Sequence, residues 1–147
     1  MTPLLAPGVN ADLAEAEGSC HCGAVRFHVR LLDGLHTARR CTCSFCRMRG
    51  AVAVSAALNG LTILSGEEHL ALYQFNSGAA RHHFCARCGI YTHHQRRSKP
   101  GEYGVNVACL GISPFAFLAV PVLDGENHPA DGNPWRLAGT LRFEPEP

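Results

Sequence analysis

The chain has 147 residues, 46% hydrophobic and 17% charged, the size and balance of one globular domain rather than a disordered tail. Its 13 Lys plus Arg against 12 Asp plus Glu give +1. With no basic stripe carrying interleaved aromatics, nucleic acid is not expected as a partner. No apolar stretch approaches the roughly 20 residues that cross a bilayer, and the start, MTPLLAPGVN, has neither the basic segment nor the apolar core of a secretion signal. These features predict a cytoplasmic protein with no membrane partner.

Residues 1–17 read as a flexible lead-in, broken by Pro3, Pro7 and Gly8 and with some helix at 11–17, ahead of one domain at 18–147. In residues 24–30, Val25, Phe27 and Val29 alternate with Arg26, His28 and Arg30, which predicts a half-buried strand. Asp33-Gly34 marks a turn. Residues 51–55 and 61–64 are expected as two strands joined at Asn59-Gly60, a strong hairpin signal. A short turn at 65–68 leads to extended chain at 71–75. Residues 79–84 and 89–94 then flank Cys85-Ala-Arg-Cys88-Gly89 as the two arms of a metal-knuckle hairpin. Alternation of Val105, Val107 and Cys109 predicts a strand at 103–110 with Cys109 facing the core. Beyond it, Pro114, Pro121, Pro129 and Pro134 predict irregular chain with short extended pieces. Short strands at regular spacing predict an all-β, mostly antiparallel domain.

Eight cysteines need a reason. Seven fall into three groups, Cys20-x-Cys22, Cys41-x-Cys43-x-x-Cys46 and Cys85-x-x-Cys88. Isolated buried cysteines would not cluster so, and a disulfide framework does not suit a reducing compartment. Thiolates two or three positions apart on a turn converge on one metal ion at about 2.3 Å. Their softness and tetrahedral preference point to zinc, two per chain, with an iron–sulfur cluster as the rival. Cys20, Cys22, Cys85 and Cys88 make one closed, structural site, each pair followed by a glycine, Gly23 or Gly89. Cys41, Cys43 and Cys46 then remain as three ligands with an open position, the coordination of a catalytic zinc. Pairing Cys20 and Cys22 with part of the middle group satisfies the same arithmetic. Arg39, Arg40, Arg47 and Arg49 surround the middle group and suit the carboxylates of a small acidic thiol. They suit an ordinary solvated surface equally well.

The segments GSCHCGAVRF, CTCSFCR, YQF…HHFCARCGI and VNVACL…DGENHP, in this order, resemble the family of glutathione-dependent formaldehyde-activating enzyme and centromere protein V, over about residues 18–135. The resemblance implies an Mss4-like fold of coiled antiparallel β-sheets stapled by zinc. It assigns Cys20, Cys22, Cys85 and Cys88 to a structural zinc, and Cys41, Cys43 and Cys46 to a second, functional one. It implies a carbon–sulfur lyase that joins glutathione and formaldehyde to S-hydroxymethylglutathione or runs the reverse. The partners so implied are a glutathione-like thiol and an aldehyde. The thiol sulfur would occupy the open position as thiolate. The proton donor is unassigned, with His93, His94 and His128 as candidates and His82 and His83 as flanking residues of the knuckle. The competing readings are a zinc-stabilised scaffold without chemistry, which requires a fourth protein ligand such as Cys109 on the middle group, and a nucleic-acid zinc ribbon, which the charge balance disfavours.

Overall fold

The computed structural model describes residues 2–147. Two antiparallel systems carry the fold, as the short alternating segments predict. Their strands are β1 (Leu4–Leu5), β2 (Glu15–Ser19), β3 (Arg26–Leu31), β4 (Arg40–Cys41), β5 (Ala53–Ser65), β6 (Leu70–Tyr73), β7 (Arg81–Cys85), β8 (Tyr91–Gln95), β9 (Glu102–Asn106), β10 (Phe117–Leu123) and β11 (Leu137–Arg142), with one α-helix among the described residues, α1 (Ser44–Arg49), and short 3-10 turns. A seven-stranded sheet runs β2-β3-β5-β9-β8-β7-β6, antiparallel throughout. A smaller sheet runs β1-β10-β11, with β4 added parallel to the end of β10. The core lies between them: Phe27 and Val29 of β3, Val54 of β5, Val105 of β9 and Phe117 and Val120 of β10, together with Leu35, Val52 and Val107. On β3 the inward residues are the alternating apolar positions, the period-2 pattern that burial of one face demands, whereas β5, β9 and β10 each bury consecutive residues.

Several expectations are corrected by the structure. The expected lead-in is built into both sheets. Leu4 and Leu5 pair with Ala119 and Phe117 of β10, and Glu15 opens β2 where helix was expected; Met1 lies outside the described residues. Gly18 in β2 sits directly against the buried Phe27 ring, where any Cβ would collide. Asn59-Gly60 makes no hairpin, because β5 runs unbroken through it. Val29 pairs with Leu61 but Leu31 with Ala56, so residues 57–60 form a wide bulge opposite Arg30, whose guanidinium donates to Asn59 O at 3.0 Å. The type I′ turn that Asn-Gly favours needs positive φ at both residues, and type II′ at the first; neither residue shows it. Instead β5 is held by β3 and β9 on its two edges, and tertiary pairing overrides the local signal.

Strand β9 stops at Asn106, whose side chain accepts from Ala108 N at 3.1 Å and starts a 3-10 turn over Val107–Leu110. Cys109 is therefore helical, yet buried as expected, with its thiol donating to Tyr91 O at 3.4 Å. In the C-terminal third, β10 holds seven residues despite Pro121. That proline falls between the stretch paired to β1 and the stretch paired to β4, where a missing N–H costs no ladder bond on that side.

Candidate metal centres and their cavity

The first cysteine group comes from two hairpin turns. Cys20 and Cys22 lie in the β2–β3 turn, Cys85 and Cys88 in the β7–β8 turn, and the same backbone solution is used twice. Gly23 and Gly89 both adopt φ 79°, with Gly23 N donating to Cys20 O at 3.2 Å and Gly89 N to Cys85 O at 2.7 Å. A Cβ on either glycine would meet nothing within 4 Å. It is the left-handed φ, not space, that calls for glycine there. Strands β2 and β7 are far apart in the sheet order, yet Cys22 Sγ lies 3.8 Å from Cys85 Sγ and 3.7 Å from Cys20 Sγ. The sheet must therefore coil until its two ends meet. A tetrahedron of bonds near 2.3 Å has edges near 3.8 Å, so the four sulfurs, all within 4.8 Å of one another, have the spacing of a tetrahedral thiolate site. All cysteines are free thiols.

The second group is local in sequence. Cys41 ends β4, Cys43 caps α1 and Cys46 lies in its first turn. Cys43 N donates to Cys41 Sγ at 3.4 Å and Cys46 N to Cys43 Sγ at 3.2 Å, so backbone dipoles already point at the sulfurs. The three sulfurs lie within 4.8 Å of one another, and among the described residues no fourth His, Cys, Asp or Glu atom joins them. Cys109, the fourth ligand a closed site would need, is in the core instead.

The three cysteines open onto a cavity of about 750 Å³, within the size range of sites for small organic ligands. The four arginines singled out in the sequence all line it, joined by Arg96, Arg97, Lys99 and Arg136. Four cations of the wall have carboxylate partners: Arg47 with Glu126 at 3.5 Å, Arg96 with Glu102 at 2.9 Å, Arg97 with Asp131, and Arg136 with Asp124. Arg39, Arg40, Arg49 and Lys99 have none among the described residues, leaving an unpaired positive field facing the cavity. Arg39 is buried, with its Nη1 on Ser55 Oγ at 2.8 Å. Burial, and then the nearby Arg96, bring it down to about 10.

The histidines separate by position. His93 does not line the cavity; it is 3% exposed and stacks on His83, with burial and then His83 holding it down at about 3. His82, His94 and His128 do line it. The Tyr91 hydroxyl bridges His94 Nδ1 at 2.6 Å and Gly104 O at 3.2 Å. Burial raises that phenol to about 12. His128 Nδ1 accepts from Ala130 N at 3.0 Å, which leaves the proton of the neutral ring on Nε2. Burial, and next Arg97, lower its affinity for a second proton.

The loop after β10 is the part of the site that motif reading named without a role. Asp124 accepts from Asn127 N and Nδ2, at 3.0 and 3.1 Å, and from Arg136. Thr42 Oγ1, between Cys41 and Cys43, accepts from Gly125 N at 3.0 Å. These bonds press the Gly125 backbone against the cysteines, so close that a Cβ there would fall inside contact with Cys41 Sγ. The only advance signal is the Asp-Gly of DGENHP, a turn mark that does not say what the turn touches.

Fold and site together define an all-β domain with two cysteine clusters of metal-binding geometry, one of them at the wall of a cationic cavity. A family model described as glutathione-dependent formaldehyde-activating enzyme matches residues 15–116, and the chain belongs to that family. A protein of Halomonas elongata, provisionally named a glutathione-dependent formaldehyde-activating enzyme, is 39% identical over 80 residues, 49% of this chain and 50% of that protein; the chain spans about half the length of that relative. A Rhodobacter sphaeroides protein solved by crystallography as a structural-genomics target is 61% identical, with a TM-score of 0.66, covering 67% of this chain and 91% of that one. No helix among the described residues is long and apolar enough to cross a membrane.

Proposed function

We propose that the chain is a two-zinc, Mss4-like carbon–sulfur lyase of the cytoplasm, acting on the adduct of a glutathione-type thiol and an aldehyde such as formaldehyde. The observation that carries the reading is a group of three cysteines without a fourth side-chain donor among the described residues, facing a cavity rich in cations that lack a carboxylate partner there. Cys20, Cys22, Cys85 and Cys88 would hold a structural zinc, and Cys41, Cys43 and Cys46 the second. When bound there, zinc supplies a Lewis-acidic position that keeps a thiol as thiolate at neutral pH.

The residues of the chain do the rest. Arg39, Arg40 and Lys99 receive the carboxylates of the thiol and fix its orientation. In the forward direction the thiolate sulfur forms the carbon–sulfur bond, the carbonyl π electrons move to oxygen, and that oxygen takes a proton from solvent water. His128 suits the stabilisation of that oxygen, since its neutral ring accepts from Ala130 N on Nδ1 and keeps Nε2–H as a hydrogen-bond donor for the cavity. In the reverse direction the hydroxyl proton passes to solvent water as the carbonyl re-forms and the carbon–sulfur bond breaks, leaving the sulfur as thiolate. His94 is less suited, because Tyr91 engages its Nδ1. A scaffold without chemistry is not favoured by any observation of the site.

The test is exchange among glutathione, formaldehyde and S-hydroxymethylglutathione followed by NMR, with zinc content measured on the same sample. Two zinc per chain and exchange faster than the uncatalysed background are expected. Two zinc with no acceleration at any enzyme concentration would end the lyase reading while sparing the metal assignment.

A further inference from the structure

We propose that Arg49 is the positioning residue of the three-cysteine site, supplying its counter-charge and fixing Cys46 Sγ, so that metal retention there depends on this one side chain. The inference rests on the metal reading of that site given above.

Arg49 is the last residue of α1, three positions after Cys46 and on the same helix face. Its guanidinium is held in four directions at once. Nη2 donates to Cys46 Sγ at 3.6 Å and Nη1 to His82 Nδ1 at 3.0 Å. The plane lies 3.6 Å over the centre of the Tyr91 ring and 4.8 Å from that of Phe45. His82 is itself locked between Phe45, at 4.5 Å, and His94, at 5.1 Å. Because a guanidinium only donates, His82 accepts on Nδ1, so the far side of that ring and the grip on Arg49 are fixed together.

The placement needs a charge-based reason. Arg49 has no carboxylate partner among the described residues, unlike Arg47, Arg96, Arg97 and Arg136 of the same cavity. Its Nε and His82 Nε2 are the two buried side-chain polar atoms left without a hydrogen bond among the described residues. A half-buried cation whose buried Nε lacks a hydrogen bond and which has no carboxylate must be compensated otherwise. Three thiolates around a dication leave one negative charge, and Nη2 lies against one of those sulfurs. The planar fork also reaches sulfur and imidazole nitrogen simultaneously, which the single ammonium of lysine does not. Arg49 thus takes the part at this site that outer hydrogen-bond partners take around metal ligands generally.

The experiment uses the full chain loaded with zinc or with cobalt(II), as wild type, Arg49→Gln and Arg49→Lys, in chelator competition at fixed pH and by the cobalt–thiolate absorption bands. The four-cysteine site serves as the internal control. In Arg49→Gln the three-cysteine site is expected to lose metal affinity by about 10–100-fold, the usual cost of an outer partner, and to shift its thiolate-to-cobalt bands. The four-cysteine site keeps its metal. Arg49→Lys, which keeps charge and stem but not the fork, should lose less and still shift the bands. Should Arg49→Gln fail to fold, Arg49→Lys decides alone: a folded variant with wild-type retention and spectrum overturns the proposal. Unchanged competition in both variants overturns it as well. A wild-type chain that takes only one metal would instead overturn the metal reading on which the inference stands.

Discussion

Replacing Gly125 by alanine adds one methyl group at the most crowded point of the cavity wall. The new Cβ would lie 2.8 Å from both Cys43 N and Cys43 Cβ, and closer still to Cys41 Sγ. Ordinary carbon contacts begin at about 3.5 Å, so these atoms must separate by about 0.7 Å or more. Gly125 cannot easily retreat, because Thr42 Oγ1 holds its N–H at 3.0 Å and Asp124, one residue before, is tied to Asn127 and Arg136. Metal–ligand distances tolerate only about 0.2 Å of error, so Cys41 and Cys43 would leave ligand geometry together. The φ of Gly125 is not in the left-handed region, hence the effect is steric and not conformational. Overpacking of this kind costs about 1–3 kcal/mol of fold stability, less than the 5–15 kcal/mol of a typical domain. Gly125→Ala should therefore stay folded while its zinc content falls from two per chain to one, read by elemental analysis after gel filtration and by urea unfolding. Gly139→Ala, where a Cβ meets nothing within 4 Å, is the control and should keep both metals. Two zinc with unaltered affinity in Gly125→Ala would refute the claim that this loop backs the three-cysteine site.

The two cysteine groups should fail differently. Cys88→Ser would remove one of the four proposed ligands, whose metal would hold the ends of the coiled sheet together. Binding energies of about 10–16 kcal/mol match or exceed a domain's stability, so insoluble or unfolded protein is expected. Cys43→Ser should fold, by circular dichroism, and lose thiol binding; equal loss of fold in both would remove the division between the sites. Two side chains predict acid behaviour. His93, held at about 3 by burial and then His83, stays neutral where the unfolded chain takes a proton near pH 6.5. Its contribution is intact above that pH and is lost progressively as pH falls towards 3. His93→Gln should flatten this part of the urea-midpoint curve, whereas parallel curves would contradict the argument. Asp124 is drawn down to about 2 by Arg136 first and Asn127 next. Its contribution is present above the ordinary carboxylate value near 3.9 and is lost as pH falls towards 2. Asp124→Asn should thus melt below wild type at pH 6 and converge with it near pH 2; a constant gap would show that the charge is not what matters.

Residues close in sequence were legible from it. Alternation in 24–30 marked the inner face of β3, and the Cys-x-x-Cys-Gly spacing marked the knuckle, because a strand's period and a turn's positive φ are written within a few residues. The hairpin read at Asn59-Gly60 failed for the complementary reason: β3, distant in sequence, pairs the chain on both sides of that stretch and leaves it as a bulge. Residues 1–17 gave no local sign of order, since their strands exist only through pairing with β10 and β3. His93 and His94, adjacent in sequence, fall on opposite faces of β8, so only one reaches the cavity. Nor do the arginines announce their partners. Arg47 and Arg49 look alike in the sequence, but one meets Glu126 and the other meets Cys46 and His82.

By itself, then, the sequence determined an all-β chain, which seven cysteines cluster and which family they mark, because ligand spacing and strand periodicity are short-range properties. Tertiary structure alone decided that residues 20–22 meet residues 85–88, that Gly125 backs the middle cysteines, and which cations face the cavity without a counter-ion. Each of these depends on how a seven-stranded sheet coils and where a second sheet closes over it, which no run of neighbouring residues encodes.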